Sequence, residues 1–277
     1  MKQPIAGYYK DQENPWGLKQ KEMTLRVAIT DQLKCGLGLL RSFVIYRRPG
    51  RQRALRRLYS EFIRPGDLVF DIGAHLGDRS SAFAALGARV VALEPQPRLL
   101  RWLQRLTRHQ PKIVCLPLAA GRAPGKAELA LSLRNPTVAS LDSRWREHLR
   151  TTSPGFQHVR WEDSVTVTVT TLDELIRQYG QPSFCKIDVE GFEVEVLAGL
   201  NQPLPALSFE FVNGTLDQAL RCLQELERLG RHEFNVVAGE QRRFIWPLWQ
   251  DPESLRQWLN AGADGIASGD IYARLVT

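Results

Sequence analysis

The segment Asp67-Leu68-Val69-Phe70-Asp71-Ile72-Gly73-Ala74-His75-Leu76-Gly77-Asp78, followed by Val90-Val91-Ala92-Leu93-Glu94-Pro95, restricts what this chain can fold into more than any other stretch. An apolar run ends in an acid and a glycine-punctuated turn, the pattern becomes helical, and a second apolar run ends in another acid. That is a βαβ unit with a carboxylate at the tip of each strand, because parallel strands buried on both faces read as continuous apolar runs. Ligands of such sheets sit in the crevice beyond the strands' carboxyl ends, so Asp71 and Glu94 are expected to face one ligand. Gly73 and Gly77 allow close backbone approach, but the turn reads D-x-G-x-x-x-G and lacks the full G-x-G-x-x-G spacing that seats a pyrophosphate. Glu94 stands about twenty residues on, where an acid accepts hydrogen bonds from both hydroxyls of a ribose. The expected ligand is a nucleoside without a phosphate.

The 277 residues could form one large domain or two small ones, and 43% hydrophobic content is ample for a packed core. Residues 1–22 carry Pro4, Gly7, Pro15 and Gly17 with no sustained period and read as an arm. Residues 25–46 read as a helix interrupted at Gly36 and Gly38, and Arg51 to Ile63 as a second, with Leu55, Leu58, Tyr59 and Phe62 on one face. Pro65-Gly66 closes this leader, giving an expected division into an N-terminal extension, 1–64, and a main domain, 65–277. Strands and helices then alternate: strand to Ile72, helix 79–86, strand 89–93, helix 97–109, strand 112–116. The alternation lapses over an insert, about 121–170, where 126–133 and 164–170 read as half-exposed strands, Asn135-Pro136 as a turn and 144–163 as a polar loop. Such an insert is a natural substrate lid or an edge hairpin extending the sheet. Helix 172–179, strand 183–187, helix 191–198, strand 206–211, helix 215–228 and strands 234–237 and 271–276 complete the expected order.

Composition narrows the function classes. Cys35, Cys115, Cys185 and Cys222 are far apart with no C-x-x-C pair, which implies a reducing, cytoplasmic setting and no structural zinc. No signal-like start and no membrane-span-length apolar run is present. The net charge of +7 includes Arg47, Arg48, Arg51, Arg53, Arg56 and Arg57 just before the βαβ unit. They could be a footprint for nucleic acid, an anionic membrane surface or an acidic substrate, but a solvated helix face accounts for them better, since only Tyr46 and Tyr59 are interleaved with them.

At Phe70-Asp71-Ile72-Gly73-Ala74-His75-Leu76-Gly77, Ala92-Leu93-Glu94-Pro95-Gln96, Thr171-Leu172-Asp173-Glu174-Leu175 and Lys186-Ile187-Asp188-Val189-Glu190-Gly191-Phe192-Glu193 the chain resembles the class I S-adenosylmethionine-dependent methyltransferases. The last two motifs narrow the resemblance to the FkbM family. It covers roughly residues 61–212 and implies a doubly wound α/β, Rossmann-like sheet of seven strands with the last antiparallel, here with a helical extension and a β insert. The cofactor it implies is S-adenosyl-L-methionine, and the reaction O-methylation of a small-molecule natural product or saccharide. Donor-binding candidates are then Asp71, Gly73, Ala74, His75, Gly77, Glu94, Pro95, Gln96, Ala119 and Asp188, with Ala119 and Ala120 small enough to admit a flat base.

Methyl transfer to an alcohol needs a positioned proton acceptor. Asp188 and Glu190 end the strand expected beside the first and are the leading candidates, with His75 of the glycine turn as a third. Glu193 and Glu195 fit a structural role at a helix N-terminus. Lys186 is expected to point away from the crevice or to pair with one of the acids. Glu210 and Asn213, ending the next strand, are candidates for the acceptor pocket; Glu210 with Asp188 and Glu190 could also offer oxygens to a divalent ion, but no spacing demands a metal and none is expected. Ser140 of Ala139-Ser140-Leu141 resembles part of the family's insert, without a physical role that the sequence supplies.

Competing readings are an RNA or protein methyltransferase, favoured only by the arginine cluster, a nucleotide-binding oxidoreductase, against which the missing glycine argues, and a catalytically silent scaffold. The expected partners are a hydroxylated small molecule and a second copy of the chain through the N-terminal helices, with nucleic acid disfavoured.

Overall fold

A computed structural model describes residues 50–132, 138–152 and 158–276. The expected helix over 25–46 and the turn at Asn135-Pro136 lie outside the described residues. The elements run α1 (Arg51–Tyr59), β1 (Leu68–Ile72), α2 (Asp78–Ala85), β2 (Arg89–Leu93), α3 (Pro97–Thr107), β3 (Ile113–Leu116), β4 (Leu118–Ala120), β5 (Gly125–Leu131) and α4 (Ser143–Thr152). They continue as β6 (Asp163–Thr170), α5 (Leu172–Tyr179), β7 (Phe184–Ile187), α6 (Glu193–Ala198), β8 (Ala206–Val212), α7 (Leu216–Leu229), β9 (His232–Ala238), α8 (Pro252–Asn260) and β10 (Ser268–Leu275).

The main sheet has seven strands in the order β3-β2-β1-β7-β8-β10-β9. All pairings are parallel except those of β10, which runs antiparallel to both β8 and β9. The chain is therefore a doubly wound α/β protein with the antiparallel last strand that its motifs imply. Every residue of β1 and β7 is buried, which is why both read as unbroken apolar runs despite Asp71 and Lys186.

Successive side chains of β1 point to opposite faces. Phe70 and Ile72 join a core with Ile187, Phe209 and Leu223, on the side of α5 to α8. Val69 joins Phe184, Tyr272 and Phe83 on the other. That second core extends into α1, whose Leu55, Leu58 and Tyr59 are buried while Arg53, Arg56 and Arg57 are exposed. The Tyr59 ring meets Phe83 edge-on at 4.6 Å, and Phe62 stacks on Tyr272 at 5.7 Å. Arg53, Arg56 and Arg57 thus form a solvated face, and the core runs across the break at Pro65-Gly66.

The insert departs from its expected form in two respects. β5 and β6 pair antiparallel, but with β4 they make a separate three-stranded sheet, ordered β4-β6-β5, instead of extending the large one. The stretch expected to be a polar loop contains α4, begun by Asp142, whose Oδ1 accepts the backbone N–H groups of Arg144 (2.8 Å) and Trp145 (3.0 Å). A further unexpected helix, α8, is capped by Asp251, which accepts the Ser254 N–H at 2.9 Å, with Pro252 in its first turn. Among the described residues no helix is long and apolar enough to cross a membrane.

Candidate active site

The carboxyl ends of β1, β2 and β7 and the inner surface of the insert enclose one pocket. Asp71 ends β1 on the side of Lys186, its register partner, and accepts the Ser80 hydroxyl. Burial raises the Asp71 pKa, with Lys186 and Ser80 opposing it. Glu94, 3% exposed beyond the end of β2, is fixed at both oxygens: the N–H of His75 donates to Oε2 and that of Gln96 to Oε1, each at 2.9 Å. Burial nevertheless pushes its pKa up to about 8, with the two backbone N–H groups opposing the rise.

Gly73 is required by contact between two strand ends. At φ +83°, a Cβ there would fall 1.8 Å from the carbonyl oxygen of Asp188, so the turn after β1 and the loop after β7 lie backbone to backbone. Gly77 makes room for Leu103, 2.5 Å from where its Cβ would stand.

Lys186 is 1% exposed, and its Nζ lies 2.6 Å from Asp188 Oδ2 and 3.9 Å from Asp270 Oδ1 on β10. Burial works against its charge, but Asp188 and Asp270 more than offset this and hold the ammonium on. Burial alone would raise the Asp188 pKa; Lys186 and Arg79 reverse the direction and keep it below the usual carboxylate range. Arg79 lines the same pocket and approaches Asp78 at 3.6 Å and Glu240 at 3.8 Å.

Beyond Asp188 the backbone turns sharply, with Glu190 at φ +55° and Gly191 at φ +92°. Three contacts hold this turn. Glu193 Oε1 accepts the N–H of Val189 at 3.0 Å and of Gly191 at 3.4 Å. Ser140 of the insert donates its hydroxyl to the Glu190 carbonyl at 2.7 Å and accepts the Asp142 N–H at 3.0 Å. Trp145 of α4, 2% exposed, occupies the space that a Cβ on Gly191 would need, 2.2 Å from its Cγ. The Glu190 carboxylate makes no hydrogen bond among the described residues. Burial, and after it Asp188 and Glu193, raise the Glu190 pKa well above its ordinary value. Glu210 on β8 is raised in the same direction, by burial and then by Asp188 and Glu190. One carboxylate oxygen each from Asp188, Glu190 and Glu210 lies within 4.8 Å of the others, an oxygen donor set of the kind divalent cations take.

Of the residues singled out from sequence, Asp71, Gly73, Ala74, His75, Glu94, Pro95, Gln96, Ala119, Asp188 and Glu190 line this pocket, and Gly77 does not. Glu210 lines a small neighbouring cavity with Trp145, Gly191 and Thr215. Asn213 lines neither cavity; its N–H donates to the Ala267 carbonyl at 2.8 Å. The His75 backbone positions Glu94, while burial lowers the ring's pKa to about 4 and keeps it neutral near pH 7. Glu193 supports the turn, and Glu195 pairs with Arg122 at 2.9 Å. Sequence reasoning missed Asp270 and Arg79, the first because it reaches the site from the last strand.

The residues present suit a cationic nucleoside donor. Glu94 is fixed by two N–H groups and retains lone pairs for hydroxyls, Ala119 and Ala120 offer a flat small-residue wall, and Asp71 and Asp188 supply negative charge.

Residues 71–264 match the sequence profile described as "Methyltransferase FkbM domain". The hexuronic acid methyltransferase AglP of Haloferax volcanii is 27% identical over 204 residues, covering 69% of this chain and 78% of that protein. The precorrin-6y C5,15-methyltransferase of Geobacter metallireducens aligns in structure with a TM-score of 0.42 at 14% identity, over 81% of this chain and 87% of that one. A TehB-like methyltransferase of Corynebacterium glutamicum gives 0.41 at 12% identity, over 80% and 88%.

Proposed function

The chain belongs to the FkbM methyltransferase family, and from that membership we propose that it uses S-adenosylmethionine to methylate a hydroxyl of a saccharide-type small molecule. When bound, S-adenosylmethionine supplies an electrophilic methyl carbon on a sulfonium. Glu94 would accept the ribose hydroxyls, with the His75 and Gln96 N–H groups holding its carboxylate in place. Asp71 and Asp188 would balance the donor's positive charge, and Ala119 would leave room for its base.

Support for an oxygen acceptor comes from one observation: a carboxylate without a hydrogen bond, Glu190, stands at the pocket beside a carboxylate already committed to a lysine, Asp188. Asp188, held ionised by Lys186, is a weak proton acceptor and a good fixed charge. Glu190, whose environment favours the protonated form, would be the better base to take the proton of an acceptor hydroxyl. The saccharide acceptor is supported by the relative AglP, which methylates a hexuronic acid.

The test has two stages. S-adenosylhomocysteine should raise the melting temperature of the full chain, and NAD should not. Transfer of labelled methyl groups should then be assayed on uronic acids and neutral saccharides, with RNA and protein as controls. Lack of stabilisation by S-adenosylhomocysteine would remove the donor assignment, and labelling of RNA or protein alone would remove the saccharide.

A further inference from the structure

Helix α3 presents a surface with no part in the pocket. Its inner side buries Leu99, Leu103 and Thr107. On the outer side Arg98, Arg101, Arg105 and Arg108 follow one another at intervals of three and four residues, a row about 15 Å long at the α-helical rise. Trp102 stands among them, 39% exposed, with the Arg105 guanidinium 5.4 Å from its ring centroid. No aspartate or glutamate occurs between Glu94 and Glu128 in the sequence. Among the described residues none of the four arginines pairs with an acid, and Arg108 donates instead to His109 at 2.8 Å. By contrast, Arg122 pairs with Glu195 and Arg256 with Glu227.

We propose that the outer face of α3 docks on an anionic phospholipid surface. A convex, cationic helix face with an amphipathic ring between the charges is matched to an array of negative headgroups over an apolar layer, where arginine guanidiniums hold phosphates and tryptophan sits at the boundary. Nucleic acid fits less well. Single strands are bound by grooves with several aromatic platforms, and here there is one indole with a guanidinium already near its face. The inner side of α3 is committed to the protein core, so the docking is peripheral and reversible by salt.

The test is co-sedimentation of the full chain with vesicles of phosphatidylcholine alone or with about one third phosphatidylglycerol. The expected result is at least roughly tenfold stronger partitioning to the anionic vesicles, abolished near 0.5 M salt. The variant R98Q/R101Q/R105Q/R108Q should lose at least about tenfold of that partitioning, and R101Q/R105Q part of it, with stabilisation by S-adenosylhomocysteine unchanged in both. Equal binding to the two vesicle types would overturn the proposal, as would unchanged partitioning of the fourfold variant. Tighter binding to an oligonucleotide than to anionic vesicles at equal phosphate concentration would overturn it in favour of nucleic acid.

Discussion

Lys186 Nζ lies 2.6 Å from Asp188 Oδ2, and this contact joins the interior of the sheet to its ligand-facing edge. The lysine side chain is 2% exposed and the aspartate 29%, so one partner is enclosed and the other opens toward the pocket. The ammonium's second neighbour, Asp270, arrives on the antiparallel strand β10. Lys186 thus fixes the charge and direction of a pocket carboxylate without itself reaching the solvent.

Replacing Lys186 by Met should leave Asp188 and Asp270 without their nearer cation, with only Arg79 acting on both. Removing one partner of a buried pair costs roughly 3–5 kcal/mol, and the opening at Asp188 lets water reduce this to about 2–3 kcal/mol. Urea unfolding measures it. K186M combined with D188N should recover part of the loss, and a double variant no more stable than K186M would show that the pair is not the cause.

Glu190→Gln preserves shape and one acceptor oxygen but cannot take a proton. Binding of S-adenosylhomocysteine, measured by calorimetry, should change little, while turnover on the true acceptor falls about 10²-fold or more. In the wild type the rate should rise with pH above the ordinary carboxylate range, because Glu190 is raised and acts deprotonated. D188N should also lose turnover, through the lost fixed charge. If a chelator abolishes activity and added magnesium restores it, the three clustered acids act on a metal instead.

Glu94 has a folded-state pKa of about 8 against an ordinary 4.5, and Glu193 one of about 7. Both are raised, so the folded state binds more protons between those limits, and the stability they contribute is present below about pH 4.5 and lost as pH climbs toward 8. His75, lowered to about 4, acts in the opposite window and removes stability as pH falls below 6.5. Melting temperatures of the donor-free protein should therefore decline from near neutrality toward pH 8, and Glu94→Gln should flatten that decline. An unchanged slope in E94Q would show that Glu94 ionises normally.

Ser140→Ala removes the hydroxyl that holds the Glu190 carbonyl. The stability cost should be about 1 kcal/mol, as for one hydrogen bond. Turnover should fall by more than donor affinity, since the turn it supports carries Glu190. Gly191→Ala should be harsher, above about 2 kcal/mol, because the new Cβ meets the Trp145 ring and the backbone is left-handed there. Denaturant melts of both variants, set beside their donor affinities, separate these effects.

The sheet was legible because β1, β2 and β7 are buried on both faces and leave apolar runs ending in acids. That Asp71, Glu94 and Asp188 share one pocket was legible for the same reason, since strand order brings those ends together. Helix α4 was not, because Ser143-Arg144-Trp145-Arg146-Glu147-His148 is mostly polar and charged; among its described side chains Trp145 is the buried one. The separate insert sheet depends on β4, three residues long, pairing with β6 across the insert, a contact with no local signal. Asp270 was hidden in the same way, since its place beside Lys186 is set by the pairing of β10 with β8.

The Ser140 hydroxyl on the Glu190 carbonyl also has a meaning for how such a protein can diversify. Asp71, Glu94 and Asp188 stand at the ends of large-sheet strands, whereas Leu129, Ala139 and Leu141 bring insert walls to the same pocket. A small set of contacts, Ser140 and Trp145 among them, ties the insert to the acidic turn. Exchanging the insert as a cassette while keeping Ser140, Asp142 and Trp145 should therefore change which molecules are accepted without rebuilding the donor half. That makes it the segment to randomise when a new acceptor is wanted.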